Sequence, residues 1–331
     1  MTVLRLGLVG AGRIARDYIR VLETVPELSI VGTADLDAAA RGRAASWTLA
    51  PTFSTVDRML AETELDVVLI ASPPATHCGA ALQALDAGCH VFCEKPLATA
   101  ADHAERMLAA ARAADRVLMM ASKFRFVDDV AEARRILQDG VIGDIAFYHN
   151  AFCSRVDMTE RWNAVPEIAG GGVLIDNGTH SVDLARFLVG PIRRVSATFG
   201  PRVQPIDVED SALLLFESER RTIGRIELSW SVDSPSEHFV EVHGAAGALQ
   251  IGWRGSRYRT DGDWIAFGSG YDKGRAFGAQ LRHFAAVVRG EAAPIIDDDD
   301  SLASVRIVEA AYRAAELGTW ELTPSAVEIR S

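Results

Sequence analysis

The chain has 331 residues, of which 49% are hydrophobic and 24% charged, and its formal net charge is -11. This length exceeds what one ordinary core fills and predicts two globular domains. The acidic balance disfavours a nucleic-acid partner, and no apolar run reaches the roughly 20 residues that a membrane span needs.

Short apolar segments alternate with helical patterns over the first part of the chain. Strands are predicted at residues 3–9, 28–34, 65–71, 90–93 and 117–121. Helices are predicted from Ile14 to Leu22 and over residues 76–87 and 100–114. Because these strands lack polar alternation, both of their faces are buried, which predicts an α/β domain with a doubly wound parallel sheet.

After about residue 122 the predicted strands become longer and more alternating. They fall at residues 211–216, 222–230, 236–243 and 248–253, with helices at 130–139 and 301–317. Such alternation is typical of antiparallel pairing with helices on one face. We therefore predict a Rossmann-type first domain over 1–122 and an α+β domain with a large, mostly antiparallel sheet over 123–331, whose last helix is able to pack back near the first domain.

The cysteines and one acidic run each allow a metal or disulfide interpretation. The chain has four cysteines, Cys78, Cys89, Cys93 and Cys153. Cys89 and Cys93 are about 13 Å apart along a strand, too far for a disulfide, which favours buried reduced thiols. Asp297 to Asp300 precede a predicted helix, where carboxylates favour the positive amino end, so no metal is predicted.

A glycine turn follows the first strand. Gly10 permits a tight bend, Gly12 allows a pyrophosphate close to the backbone, and Arg13 and Ile14 open the next helix. Ala15 replaces the third glycine of the usual fingerprint. The order strand, turn, helix predicts a dinucleotide site.

The second strand ends at Asp35, at the spacing expected for a ribose contact. Its carboxylate would accept hydrogen bonds from the ribose hydroxyls and repel a 2'-phosphate. Neither Leu36 nor Asp37 supplies a cation, which predicts NAD in preference to NADP. Arg41 or Arg43 folding back would restore some NADP binding.

Three further residues have the chemistry of alcohol oxidation. Lys95 follows a strand, and Asp176 and His180 are four residues apart behind a glycine run. On a helix this spacing puts both side chains on one face, where the carboxylate orients the imidazole. The structural alternatives are a surface Lys95, a helix-capping Asp176 and a packing His180.

Over essentially its whole length the chain resembles the family of glucose-fructose oxidoreductase, inositol dehydrogenase and rhizopine catabolism proteins. The motifs that carry the resemblance are Gly10 to Ala15, Ser72 to His77, Glu94-Lys95-Pro96, Gly170 to Gly172, and the Asp176 and His180 pair. The resemblance implies that Lys95, Asp176 and His180 are catalytic and that Pro96 follows a cis bond. It also implies that the dinucleotide site is lined by Ser72, Pro73, His77 and Glu94.

A set of polar and aromatic residues near these motifs suits a polyhydroxylated ring. The set is Lys123, Arg125, Arg155, Arg161, Trp162, Asn163 and Asn177. Each of these, taken alone, is as compatible with a surface or packing role.

We therefore predict an NAD-dependent dehydrogenase that oxidises a secondary ring hydroxyl of a sugar, sugar nucleotide, aminoglycoside or cyclitol such as inositol. His180 is the expected base, and Lys95 is expected to polarise the oxygen. The alternatives are a redox-neutral NAD-dependent glycosidase and a non-enzymatic sugar-sensing regulator. We expect a cytoplasmic homodimer or homotetramer, because residues 2–9 lack the features of a signal peptide and a broad apolar sheet face requires a cover.

Overall fold

The structure is a computed structural model that describes residues 2–323. The strands are β1 Leu4–Val9, β2 Leu28–Ala34, β3 Thr52–Phe53, β4 Val67–Ile70, β5 His90–Cys93, β6 Leu118–Met120, β7 Ile145–Cys153, β8 Ile192–Phe199, β9 Ser211–Ser218, β10 Ile223–Ser229, β11 His238–Gly244, β12 Gly247–Gly252, β13 Ser256–Arg259, β14 Ile265–Phe267 and β15 Glu321–Leu322. The helices are α1 Arg13–Leu22, α2 Ala38–Thr48, α3 Val56–Glu62, α4 His77–Asp86, α5 Ala101–Ala113, α6 Asp128–Gln138, α7 Pro166–Ala169, α8 Val173–Val189, α9 Lys273–Val288 and α10 Asp298–Leu317.

The chain divides into two compact units. The first contains residues up to Lys123 together with Lys273–Leu302, and the second contains Phe124–Asp272 and the chain from Ala303 onward. The segment Lys273–Leu302, which the predicted domain limits placed in the second domain, therefore belongs to the first unit. The division between the units falls within α10.

A parallel sheet of six strands forms the centre of the first unit, in the order β3-β2-β1-β4-β5-β6. The strand order reverses between β1 and β4, and ligands bind in the crevice outside the carboxyl ends of the strands at such a point. All four residues of β4 are buried, as expected of a strand covered on both faces. The predicted doubly wound parallel sheet is confirmed.

The second unit contains a nine-stranded sheet in the order β14-β13-β12-β11-β7-β10-β9-β8-β15. Its pairings are antiparallel except for β7 with β10, which are parallel. The predicted mostly antiparallel sheet is thus confirmed. Helix α8 packs against β7, β9 and β10, so the helix that carries the predicted acid/base pair lies directly on the sheet.

The acidic run has the predicted place at a helix start. Asp298, Asp299 and Asp300 lie in the first turn of α10, and the Asp300 N–H donates to the Asp297 carboxylate at 2.8 Å. Among residues 2–323, no group of three or more His, Cys, Asp or Glu is arranged to hold a metal ion. Within the same range no helix is both long and apolar enough to cross a membrane.

Three of the cysteines are buried and Cys153 is half-buried, all as free thiols. Burial raises the pKa of the Cys153 thiol to about 11. A thiol with a raised pKa carries little thiolate, so this position favours packing over nucleophilic chemistry.

Candidate active site

The turn after β1 brings backbone donors to the switch point of the parallel sheet. Gly10 has a φ of +88°, and a Cβ there would lie 2.5 Å from the backbone nitrogen of Ser72, so only glycine fits. A Cβ on Gly12 would meet nothing within 4 Å. In the described structure no side chain caps the start of α1, and its first turn contains no acidic residue. This helix end therefore fits a pyrophosphate.

Asp35 stands at the end of β2 and binds the same turn. Its carboxylate accepts the Ala11 N–H at 2.7 Å and the Asp37 N–H at 2.8 Å. Each carboxylate oxygen has a second lone pair, which leaves acceptors for ribose hydroxyls. The Arg41 guanidinium donates to the carbonyl oxygens of Asp35 at 2.8 Å and of Leu36 at 2.9 Å.

The loops that follow β4 and β5 are joined by His77. Its Nδ1 lies 2.9 Å from the Pro96 carbonyl oxygen, and its Nε2 lies 2.9 Å from the carbonyl oxygen of Ser72. Burial lowers the pKa of this imidazole. His77 is fully buried and its ring joins the two loops. That it lines the dinucleotide site stays a prediction. Pro73 and the Ser72 side chain remain partly exposed.

Glu94 turns its carboxylate inward, toward a buried tyrosine. The Tyr18 hydroxyl donates to Glu94 Oε1 at 2.6 Å, and the Gln280 amide donates to the Tyr18 oxygen at 3.2 Å. Burial, followed by the charge of Glu94, raises the pKa of Tyr18 well above its usual range. The other carboxylate oxygen accepts the Lys95 N–H at 3.1 Å. Lys95 itself is half-buried and precedes a cis bond to Pro96, as the resemblance implies.

The second unit presents Asp176 and His180 from α8. The two residues lie one turn apart on the same helix, and both are half-buried. The Asn163 amide donates to Asp176 Oδ2 at 3.4 Å, and the ring of Phe124 meets the His180 ring edge-on at 5.2 Å between centroids. A carboxylate one turn from an imidazole is the arrangement of a general base and its orienting group.

The amino end of α8 is capped by Glu209, a residue that sequence reasoning missed. Glu209 Oε1 accepts the Gly172 N–H, the Leu174 N–H and the Tyr312 hydroxyl at 3.0, 3.0 and 2.7 Å. Its backbone carbonyl accepts the Val173 N–H at 2.9 Å. Burial raises the pKa of this carboxyl group, while the hydrogen bonds that it accepts from Tyr312, from its own backbone N–H, from Leu174 and from Gly172 oppose the shift only in part. Glu209 lies in a loop, one residue before the buried Asp210, so no hydrophobic periodicity in the sequence indicated its role.

This cap explains the glycine run. A Cβ on Gly172 would lie 2.0 Å from the Glu209 carbonyl oxygen, and one on Gly171 would lie 2.0 Å from the Tyr312 hydroxyl oxygen. No side chain fits at either position without moving the cap. The run therefore serves the close approach of Glu209 and Tyr312 to the start of α8.

The predicted substrate residues are dispersed. Asn163 contacts Asp176, and Asn177 follows it as a half-buried residue of α8. Trp162 is 41% exposed. Arg155 is exposed and its guanidinium lies 3.4 Å from the Asp233 carboxylate. Lys123 ends the first unit, with its ammonium group 5.9 Å from the ring centre of Phe277.

Arg125 differs from the other members of the predicted substrate set because it is 4% exposed. Its guanidinium donates to the Asp183 carboxylate of α8 at 2.6 Å and lies 4.9 Å from the Phe187 ring centre. Because the guanidinium group forms a buried ion pair that holds α8, Arg125 is not placed to bind a substrate, and we remove it from the substrate set.

The first unit contains a Rossmann-type sheet with Lys95 directly after the edge of β5, and helix α8 of the second unit carries Asp176 and His180 one turn apart. Each of these features is typical of one class of oxidoreductases. Residues 4–122 match the oxidoreductase family with an NAD-binding Rossmann fold, and residues 130–250 match the Gfo/Idh/MocA C-terminal domain. The chain belongs to the Gfo/Idh/MocA family, and it is an enzyme of the oxidoreductase class. The resemblance found in the sequence is confirmed.

Individual relatives have low sequence identity to this chain but align with most of it. D-apiose dehydrogenase of Paraburkholderia graminis is 28% identical over 332 residues, which span 94% of this chain and 87% of that protein. Levoglucosan dehydrogenase of Pseudarthrobacter phenanthrenivorans is 27% identical over 260 residues, which span 70% of this chain and 64% of that protein. The structure of GenD2 from gentamicin A biosynthesis, in complex with NAD, matches with a TM-score of 0.87 at 28% identity and covers 98% of this chain and 97% of that one.

Proposed function

We propose that the chain is an NAD-dependent dehydrogenase that oxidises a secondary ring hydroxyl of a sugar or cyclitol, and that it runs the reverse ketone reduction. The observation that carries the proposal is the Asp176 and His180 pair on α8, in a chain of a dehydrogenase family whose Lys95 follows β5. Relatives named for levoglucosan, apiose and gentamicin A biosynthesis support a polyhydroxylated sugar or aminoglycoside as substrate, and a sugar nucleotide is proposed beside these.

In the proposed reaction His180 accepts the hydroxyl proton, because a neutral imidazole is a suitable general base near neutral pH. Asp176 holds the imidazole and stabilises the charge that it gains. Lys95 donates a hydrogen bond to the same oxygen as negative charge develops there. NAD supplies the hydride-accepting chemistry when it is bound, and the backbone around Gly12 would hold its pyrophosphate.

The proposed preference for NAD over NADP rests on Asp35. A carboxylate that accepts ribose hydroxyls repels a 2'-phosphate. Arg41 donates to two backbone carbonyls, and Arg43 approaches the Asp37 carboxylate at 4.0 Å. Both cations would have to leave these oxygens to neutralise a 2'-phosphate, so NADP binding is expected to be weaker.

The test is a screen of inositols, free sugars, glycosides, sugar nucleotides and aminoglycosides with NAD and NADP, read by the absorbance of reduced nicotinamide. With the best substrate, Lys95→Met and His180→Ala should lower kcat by about 100-fold or more, since positioned proton transfer contributes about that factor. His103→Ala, at a histidine of α5 that has no assigned role in the site, is the matched control. NAD affinity should be unchanged in all three variants, and full turnover by either of the first two would exclude the assigned roles.

The same screen separates the alternative activities. A redox-neutral glycosidase would release its aglycone without accumulating reduced cofactor. A sugar-sensing regulator would bind a sugar and release neither an aglycone nor reduced cofactor. Net reduced cofactor from at least one cyclic alcohol is the result that the dehydrogenase proposal requires.

The proposal includes a homodimer or homotetramer. On the nine-stranded sheet, Phe147 of β7 pairs with Ile223 of β10, and these side chains are 56% and 52% exposed. A second copy covering this face would remove that apolar surface from water. Light scattering at micromolar concentration should give a multiple of the 35.7 kDa chain mass, and Phe147→Glu should reduce it. A cytoplasmic location stays a prediction from the sequence.

A further inference from the structure

An aromatic cluster lies beside the predicted base in the second unit. The cluster comprises Phe124, Phe152, Phe239, Trp253 and Tyr271. Its inner rings are the three phenylalanines, which are at most 8% exposed. Its outer rings are Trp253, which is 40% exposed, and Tyr271, which is half-buried.

The cluster is continuous from His180 to its outer rings. The Phe124 centroid lies 5.2 Å from that of His180, and Phe124 also stacks on Tyr271 at 5.3 Å with planes 26° apart. Trp253 meets Tyr271 edge-to-face at 5.7 Å. Phe124 therefore contacts both the predicted base and one of the outer rings.

Polar contacts hold the backbone segments that carry the outer rings. The backbone N–H of Tyr271 donates to the Trp253 carbonyl at 3.1 Å. The carboxylate of Asp129, which is 1% exposed, accepts the N–H groups of Ser269 and Gly270 at 2.9 and 3.0 Å. It also accepts the Ser256 hydroxyl at 2.6 Å. Rings that are already ordered lose little conformational entropy when a ligand packs against them.

The geometry points to a carbohydrate-stacking subsite formed by Trp253 and Tyr271. The ligand class is a pyranose or cyclitol ring whose apolar C–H face packs on these rings while its hydroxyl rim is directed toward His180. An aromatic surface with a few polar groups at its edge is the usual composition of a small-ligand site. This inference rests on the proposed function, because it assigns a ring-shaped substrate to that dehydrogenase.

The subsite predicts a specific pattern of losses. Trp253→Leu and Tyr271→Leu should each weaken binding of the ring substrate about fivefold, since an aromatic contact is worth about 1 kcal/mol beyond its area and 1.4 kcal/mol is tenfold. Trp253→Phe should recover part of the loss. The control is Trp264→Leu, which removes an equal ring that lies 4.5 and 5.0 Å from the Arg257 and Arg259 guanidinium groups.

Binding is measured by calorimetry and tryptophan fluorescence in the His180→Ala background, so that no turnover occurs, with the sugar and cyclitol panel and with sorbitol. The cyclic ligands should quench the fluorescence of Trp253, and sorbitol, a linear polyol with no ring face, should bind both leucine variants as it binds the unsubstituted protein. Melting temperatures and light scattering establish that each variant folds and keeps its assembly state.

The outcomes separate this inference from the proposed function. A ring substrate that binds Trp253→Leu and Tyr271→Leu with undiminished affinity overturns the subsite while leaving the dehydrogenase intact. A cyclic ligand that is lost with the leucine variants but gives no reduced cofactor supports the subsite and contradicts the dehydrogenase. Binding by no member of the panel, or a change of assembly state in Trp253→Leu without loss of sugar binding, also overturns the subsite.

Discussion

Removing the Glu209 carboxylate should destabilise the start of α8 and impair the predicted acid/base pair. In Glu209→Ala, the N–H groups of Gly172 and Leu174 and the hydroxyl of Tyr312 all lose their acceptor. A hydrogen bond contributes about 1 kcal/mol net, so the three together amount to about 3 kcal/mol of unfolding free energy. Because α8 carries Asp176 in its first turn, the same change should disturb the orientation of the acid/base pair.

Two milder variants of this cap should give smaller losses of stability. Glu209→Gln retains one carbonyl oxygen as acceptor and should cost about 1 kcal/mol. Tyr312→Phe removes a single donor and should cost a similar amount. Urea unfolding is followed by tryptophan fluorescence, which reports mainly on the second unit because five of the six tryptophans, all except Trp47, lie there. Equal midpoints for Glu209→Ala and the unsubstituted protein would refute the capping role.

The pH dependence of these variants has a definite sign. Burial raises the pKa of Glu209 above its ordinary value of 4.5. The folded protein therefore binds a proton on the Glu209 carboxyl group more tightly than the unfolded chain does. The contribution of this proton to the free energy of unfolding is fully present below pH 4.5 and is lost as pH rises through the raised pKa. The side chain in Glu209→Gln does not ionise. The difference in unfolding free energy between the unsubstituted protein and Glu209→Gln should therefore become smaller as pH rises from 4.5 through the raised pKa. A deficit that widens instead would contradict the raised pKa.

Activity distinguishes positioning from stability alone. In Glu209→Ala the kcat of the folded protein should fall with little change in KM, because a displaced start of α8 moves Asp176, the residue proposed to orient the His180 imidazole. Glu209→Gln should retain most of kcat. An unchanged kcat for folded Glu209→Ala would assign Glu209 to folding only.

Three further predictions concern other parts of the fold. Gly10→Ala should lower stability by about 2 kcal/mol because its φ is +88°, whereas Gly12→Ala should melt normally but weaken NAD binding in a calorimetric titration. Asp35→Asn should reduce the ratio of NAD to NADP affinity by about tenfold, since one charged hydrogen bond and one repulsion are lost. Arg125→Met should cost about 3–5 kcal/mol in urea unfolding by leaving Asp183 buried without its partner, and Asp183→Leu in the same chain should recover part of it.

The first unit was the more predictable part because its local patterns and its tertiary environment agree. The strands at 28–34 and 90–93 match the structure residue for residue, while 65–71 shortens to Val67–Ile70. Strands buried on both faces give continuous apolar runs, which local sequence reveals. The glycine turn and Asp35 were predictable for the same reason, since both stand at strand ends.

The second unit was less predictable because its key contacts are between residues distant in the chain. The parallel pairing of β7 with β10 depends on partners far apart in sequence. The same difficulty affects helix α9, which was not predicted and which joins the first unit from a distant part of the chain. Glu209 lies 35 residues beyond the Leu174 N–H that it accepts. The glycine run could be found in the sequence as a motif. Why it must be glycine became clear only from the positions of Glu209 and Tyr312 in the structure.

One half-buried and one buried carboxylate hold the two parts of the second unit to which we assign chemistry. Glu209 binds backbone N–H groups at the start of α8, and Asp129 binds those of the loop before Tyr271. A carboxylate in such a position is costly to bury, so it stabilises one arrangement strongly only where every donor is in place. The acid/base helix and the aromatic cluster therefore each have a single well-defined position before substrate arrives. Removing either carboxylate should impair chemistry or sugar binding separately, and a double variant with additive losses would establish that the two supports are independent.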